Sequence, residues 1–419
     1  MDRDLHQSPN EEGNHMGKTD KNSLIAVEFE LQWKSDQGTH TDCTFAEKAH
    51  LWRDVFPPPL LEKLMNREVG DTVEHSFGVG EILTGPAPSK RFRVKPSQVD
   101  THPRTGAVIH PRRGRFYPKG ILRGVPNVFR ANMEPFRCGE VTDSEIVADF
   151  NHPLSEKTLN VKATVRDILS VTAGAGGGGG SKDWMEISAA GPGMQARWNG
   201  MPTDFFSDDP FSRSDERPDG QFYQEPRFVN HLDDTAIAVV SRLYERLLRD
   251  GDRVLDLMSS WTSHLPSRMK LQELTGLGLN LEELNRNERL TRAVVHDLNE
   301  NPVVPFDDAS FDAVICTVSV EYLTRPIEVF RDVGRILRPG GCFVATFSNR
   351  WFPPKVVNIW EKLYEFERMG LVSEFFLLSG AFADMGTYSI RGLPRPEGDK
   401  YAGQLSVSDP IYGVWAYRR

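Results

Sequence analysis

The sequence predicts an α/β domain on a parallel sheet in its second half, preceded by a mostly β domain in its first. Three observations predict this. Short apolar runs alternate with amphipathic helical segments from Arg253 to Asn349. The polar residues of that stretch gather where the apolar runs end. A run of five glycines in residues 173–181 (AGAGGGGGS) separates this stretch from what comes before.

Within the second half, residues 254–258 (VLDLM), 277–279 (LGL), 313–318 (AVICTV) and 342–347 (CFVATF) read as strands. Residues 281–290 and 326–337 carry apolar side chains at helical spacing. Strand and helix in alternation give βαβ units. In such a sheet a ligand sits at the carboxyl ends of the strands. Asp256, Ser259, Ser260, Asn280, Asp297, Ser319, Glu321 and Asn349 fall there. Ahead of this core, residues 223–231 enter a helix that continues through Ala236, Val239, Val240, Leu243 and Leu247. Tyr223, Arg227 and His231 are spaced by four, so a helix reaching back to Tyr223 places them on one face. Beyond the core, residues 355–369 read as an amphipathic helix, and 387–393 and 411–417 as the last strands.

This order resembles the class I S-adenosylmethionine-dependent methyltransferases over residues 222–419. The stretch DLNENPVVPFDDASFDAVICTVSVEYLTRPIEVFRDVGRILRPGGCFVATFSN, from Asp297 to Asn349, carries most of the likeness. The resemblance implies a Rossmann-like fold, S-adenosylmethionine as cofactor, and Asp297 with Leu298 at the adenine. Two departures stand out. The glycine-rich loop after the first strand is replaced by VLDLMSSWTSH, and Asn280 stands where the family usually has an acid for the ribose hydroxyls. Asn can both accept and donate there.

Composition sets the outer bounds. With 419 residues, two domains fit the usual size range. The net charge of −9 is ordinary for a soluble protein. No apolar run approaches the ~18 residues of a membrane span. The first residues lack an apolar signal core, and a cytoplasmic location is expected. Cys43, Cys138, Cys316 and Cys342 stand far apart with no CxxC spacing, so no metal site or disulfide frame is expected.

In the first half, residues 1–21 are polar and read as a disordered tail. Residues 26–33 (AVEFELQW) alternate as a strand. Residues 57–77 read as a short helix, a turn and a strand. Residues 146–168 read as two strands around the turn Asn151-His152-Pro153-Leu154. With Gly38–Asp42 and the LLEKL-x4-GD segment, these pieces resemble an FKBP-type prolyl isomerase of the SlyD branch over residues 22–172. That likeness implies Asp42 as pocket acid and an inserted flap at residues 90–137. The family's Tyr-Gly after the third strand reads Leu83-Thr84-Gly85 here, so weak or absent isomerase activity is expected. Residues 89–137 hold twelve Lys/Arg and two acids, Asp100 and Glu134. Such a patch could meet nucleic acid. A basic flap balancing an acidic partner domain, or holding unfolded polypeptide, fits better, because no recognition-helix pattern is present. Residues 173–221 read as linker and loose lead-in.

A methyl transfer asks the protein to align donor and acceptor and, where needed, to remove a proton. The expected donor cradle is Asp256, Met258, Ser259, Trp261, Asn280, Asp297, Leu298 and Ser319. The expected acceptor and catalytic group is Tyr223, Arg227, His231, His264, Tyr322 and Asn349, with Arg350 beside it. A small nucleophile is the expected acceptor, a thiol or sulfide first, since these ionise near neutral pH and need little base. The alternatives are a protein methyltransferase whose flap holds its substrate, and a non-catalytic chaperone or prolyl isomerase fusion.

Overall fold

The computed structural model describes residues 17–102, 108–169 and 180–419. In the first half, β1 (Leu24–Lys34) and β2 (Gly38–His50) form a hairpin, followed by α1 (Pro58–Leu64) and β3 (Thr72–Phe77). Next come β4 (Arg91–Val94), β5 (Phe116–Pro118), β6 (Pro135–Val141), β7 (Ile146–Asp149) and β8 (Leu159–Leu169). Strands β4 to β7 make a separate small sheet in the order β4-β7-β6-β5. Along β1 and β8 buried and half-buried residues alternate, as a sheet with one covered face requires. The covered face packs with α1 around Phe29, Leu60, Val161 and Trp184.

The second half runs α2 (Trp184–Ala189), α3 (Asp219–Phe222), α4 (Asp234–Leu247), β9 (Arg253–Leu257), β10 (Glu273–Gly278), α5 (Leu281–Arg286), β11 (Arg292–Val295), β12 (Phe311–Thr317), α6 (Pro326–Ile336), β13 (Leu337–Phe347), α7 (Asn358–Glu361), α8 (Glu365–Ser379), β14 (Phe382–Arg391) and β15 (Ile411–Arg418). Strands β9 to β13 pair in parallel, and β15 is antiparallel to both β13 and β14. The central strands are apolar on both faces, which is what helices on both sides demand. Leu255, Val314, Cys316 and Phe343 face α6 and α8. Val254, Ala313, Ile315 and Val344 face α4. All four cysteines are free and buried.

The two halves share one sheet. Its order is β11-β10-β9-β12-β13-β15-β14-β2-β1-β8-β3, with β14 parallel to β2. Gly38 permits this junction, because a side chain there would run into the carbonyl of Met385. Side chains add to the weld. His40 Nδ1 lies 2.8 Å from Thr387 Oγ1. Arg115 and Arg197 of the first half and lead-in pair with Glu367 and Glu374 on α8.

Several expectations need correction. The segment from Tyr223 to His231 is not helical: α3 ends at Phe222, and α4 starts only at Asp234, where the Asp233 carboxylate caps it. The helix expected over 355–369 is two helices, α7 and α8. The lead-in is not loose: it carries α2, and Met194 and Phe205 are in the core. Of the expected disordered tail, residues 17–21 are described, and Thr19 is buried and bonded to Leu64 and Arg67. Residues 1–16 and most of the glycine run lie outside the described residues. The basic flap is largely neutralised from within. Arg91 pairs with Asp149, Arg112 with Asp208, Lys119 with Glu134, and Arg123 with Asp100. Arg137 is buried and donates to the carbonyls of Gly114 and Ala196.

Candidate active site

The carboxyl ends of β9, β10 and β12 open into one cleft. All eight residues of the expected donor cradle line it: Asp256, Met258, Ser259, Trp261, Asn280, Asp297, Leu298 and Ser319. Tyr223, Arg227, His231, His264 and Tyr322 line it as well. Asn349 does not; it is exposed after β13. Arg350 turns away to stack on Tyr401.

The floor is strained where the central strands end. Met258 follows β9 at φ 58° and Val318 follows β12 at φ 43°. A β-branched residue at positive φ costs on the order of 1–3 kcal/mol and persists only where its surroundings fix it. Val318 is fixed by a hydrogen bond from its N–H to Thr346 O, 2.7 Å. Ser259, next in the chain, donates its hydroxyl to Asp256 at 2.6 Å, and its N–H to Leu277 O at 2.7 Å. Burial pushes the Asp256 carboxyl up to about 6. Gly278 lets this serine loop lie directly on β10, since a side chain there would meet the Ser259 carbonyl.

After β11, Asp297 Oδ1 accepts from the N–H groups of Asn299 and Glu300, at 2.9 and 3.3 Å. Among the described residues no hydrogen bond reaches its Oδ2. Asn299 donates to Asp219 and Tyr322 O, at 2.7 and 2.9 Å. Asp219 is itself held by Arg213 and the fully buried Lys355. This charged cluster fixes α3, and with it the start of the segment that crosses the cleft.

That segment, residues 223–232, brings aromatic and basic groups to the upper wall. The Arg227 guanidinium lies 4.6 Å from the Phe222 ring, 5.5 Å from Tyr223 and 5.3 Å from Phe352. His231 meets Phe352 edge to face at 4.9 Å. His264 comes from the loop after β9, with φ 51°. Burial lowers its pKa to about 4, helped by His231 nearby. Burial also lowers His231, with Arg227 adding to the effect. Burial thus favours the uncharged imidazole at both positions and makes His264 the weaker base of the two. Among the described residues no cluster of three or more His, Cys, Asp or Glu could hold a metal ion, and no helix is long and apolar enough to cross a membrane.

Sequence reasoning missed Glu283, Phe352, Asp219 and Asn299. Glu283 looked like an ordinary acid in the first turn of a helix. Phe352 lies in the loop that follows β13, and its aromatic neighbour Trp351 is the available signal.

A parallel sheet with this strand order and a polar cleft at its carboxyl edge defines a nucleotide-binding α/β domain. Residues 260–345 match the family model described as "Methyltransferase domain". The second half thus carries a methyltransferase domain, and S-adenosylmethionine is the cofactor it implies. Two curated relatives agree. The chain is 32% identical over 115 residues to the 27-O-demethylrifamycin SV methyltransferase of Amycolatopsis mediterranei, covering 24% of this chain and 42% of that protein. It is 26% identical over 133 residues to the methyltransferase GfsG of Streptomyces halstedii, covering 29% and 46%. The chain spans less than half the length of these relatives. Among solved structures it is similar to a Haloferax volcanii methyltransferase complexed with the activator Trm112, at 18% identity and TM-score 0.34, covering 44% of this chain and 91% of that one.

Proposed function

We propose that the chain transfers a methyl group from S-adenosylmethionine to a hydroxyl oxygen of a small organic molecule. The observation that carries the acceptor is the pair of neutral histidines, His231 and His264, on one cleft. A thiol would need little base, and the thiol expectation rested on the absence of one. The cleft supplies a base from two segments. The bound cofactor supplies a methyl already activated by its sulfonium. With that methyl in reach of the acceptor's hydroxyl oxygen, His264 or His231 would take the hydroxyl proton. Tyr223, Tyr322 and Phe352 give the acceptor apolar, ring-lined walls, as small organic ligands prefer. Asp256, Met258, Ser259, Trp261, Asp297, Leu298 and Ser319 are proposed to hold the donor. The rifamycin enzyme's name concerns an O-methyl group, and that fits this reading.

The test is donor consumption by the full chain against panels of alcohols and phenols, thiols, and amines. Turnover with a hydroxyl acceptor is expected, and His231→Ala should lower it by ~10²-fold or more, the usual worth of a positioned base. Turnover confined to thiols and indifferent to both histidines would return the assignment to sulfur.

For the first half, the FKBP-like reading rests on the sequence motifs at Asp42 and Asn151–Leu154, and the sheet that carries them is continuous with that of the second half. We read it as a scaffold. The acid that would face a bound peptide instead receives Trp33 Nε1 at 2.8 Å, Gln195 Nε2 at 3.2 Å and Ser389 Oγ at 2.8 Å.

A further inference from the structure

Asn280 and Glu283 tie the segment 223–232, a strap between α3 and α4, to the donor side of the cleft. Asn280 Nδ2 donates to Tyr223 O and Gln224 O, both at 3.0 Å. Its Oδ1 accepts from the N–H groups of Glu282 and Glu283, at 3.0 and 3.1 Å, and so caps α5. All its hydrogen-bonding capacity is used. Glu283 is divided in the same way. Its Oε1 accepts the Arg227 N–H at 2.7 Å, and its Oε2 accepts the Ser260 hydroxyl at 2.6 Å. Trp261 Nε1 adds a longer bond to Val229 O at 3.3 Å. The strap has no helix or strand of its own, so it is held by these side chains, by the Phe352 ring against Tyr223, Arg227 and His231, and by buried Leu232 at its end.

This accounts for the amide at position 280. A carboxylate could cap α5 equally well, but it has no hydrogen to give to the carbonyls of Tyr223 and Gln224. Only a side chain that accepts on one side and donates on the other can do both.

We propose that the strap is a latched lid and that Asn280 and Glu283 are positioning residues that hold it shut. The proposal rests on the methyltransferase reading above. The polar groups at the carboxyl end of β10, where a donor's hydroxyls would arrive, are already bonded to the strap. Donor entry and strap attachment therefore draw on the same hydrogen bonds, and the strap must lift for the donor to enter. Because the strap also carries Tyr223, Arg227 and His231, lifting it takes the acceptor wall apart. The geometry thus orders the events: the donor enters an open cleft, and with Asn280 taken by the donor the strap returns on its ties to Glu283 and Phe352 and rebuilds the acceptor wall.

Asn280→Asp separates the two roles, since it keeps the cap and loses both bonds to the strap. In the full chain, hydrogen exchange at the Arg227 amide should speed up by ~10-fold or more, the worth of two lost hydrogen bonds. S-adenosylhomocysteine, used as probe, should bind faster and about tenfold tighter. Glu283→Ala, a second variant that leaves Asn280 intact, should also quicken association of the probe. Unchanged exchange in Asn280→Asp together with unchanged association in Glu283→Ala overturns the latch. So does an Asn280→Asp chain that binds the probe more weakly while Arg227 stays protected, which would make Asn280 a direct donor ligand. If the unmodified chain binds no probe, the methyltransferase reading fails, and the exchange comparison still decides the latch.

Discussion

Ser389 on β14 donates its hydroxyl to Asp42 on β2 at 2.8 Å, across the parallel pair where the two halves of the chain meet. Asp42 is buried, and its other partners come from β1 and from the lead-in. One carboxylate thus joins three segments. Removing it strands three buried donors. Asp42→Ala is expected to cost about 3 kcal/mol or more and Ser389→Ala about 1 kcal/mol, from the usual worth of buried and charge-assisted hydrogen bonds. Chemical denaturation of the full chain measures both. Equal, small losses would show that the junction relies on its strands alone.

The same junction predicts how the halves behave apart. Cutting the chain to residues 182–419 exposes β14 as an edge strand and leaves Glu367 on α8 without Arg115, while Arg197 keeps its pair with Glu374. Exposed edges invite association. The fragment is expected to be less stable than the full chain and to aggregate. A monomeric fragment melting within a few degrees of the full chain would show that the second half stands alone.

Prolyl isomerase activity is expected to be absent from the full chain, because Gln195 and Trp33 occupy the Asp42 carboxylate. A protease-coupled assay on a proline-containing peptide checks this. Robust catalysis lost in Asp42→Ala would show that the carboxylate is accessible to substrate.

Asp297 is proposed as a donor ligand. Its Oδ1 organises the turn after β11, which leaves Oδ2 for a ligand. Asp297→Ala should weaken S-adenosylmethionine binding by ~10-fold or more, the scale of a lost charged hydrogen bond. Calorimetry on the full chain reads this directly, and unaltered affinity would remove Asp297 from the donor site.

Much of the second half was legible because its signals are local. Apolar runs and helical spacing located the parallel strands, and strand-end polarity located the cleft. The errors share a physical origin. Tyr223, Arg227 and His231 do reach the cleft, but as irregular chain held by Asn280 and Glu283, partners more than fifty residues away that no periodicity reveals. The loose appearance of the lead-in came from its Gly, Pro and Asp content, and composition does not register that Gln195 finds Asp42. The shared sheet was illegible for the same reason: β14 and β2 are separated by most of the chain. Asn349 was assigned to the site because it follows a core strand, yet the chain turns outward there.

Glu321 supplies the pH prediction. It sits just beyond β12, beside the cleft residue Tyr322, fully buried, and neither carboxylate oxygen has a hydrogen-bond partner among the described residues. Burial raises its pKa from 4.5 to about 8, with Arg368 opposing the shift. The folded chain therefore holds a proton on Glu321 that the unfolded chain has already released. Where the folded state binds more protons, stability falls as pH rises. The fall should run from about pH 4.5 to about pH 8, at up to roughly 1.4 kcal/mol per unit. Glu321→Gln keeps the shape and removes the proton. It should flatten this part of the profile and make the variant more stable than the unmodified chain above pH 8. Denaturation midpoints from pH 5 to 9 give the comparison. Parallel profiles for the two chains would mean that Glu321 is ionised in the folded state, and that Arg368 carries more of the balance than burial does.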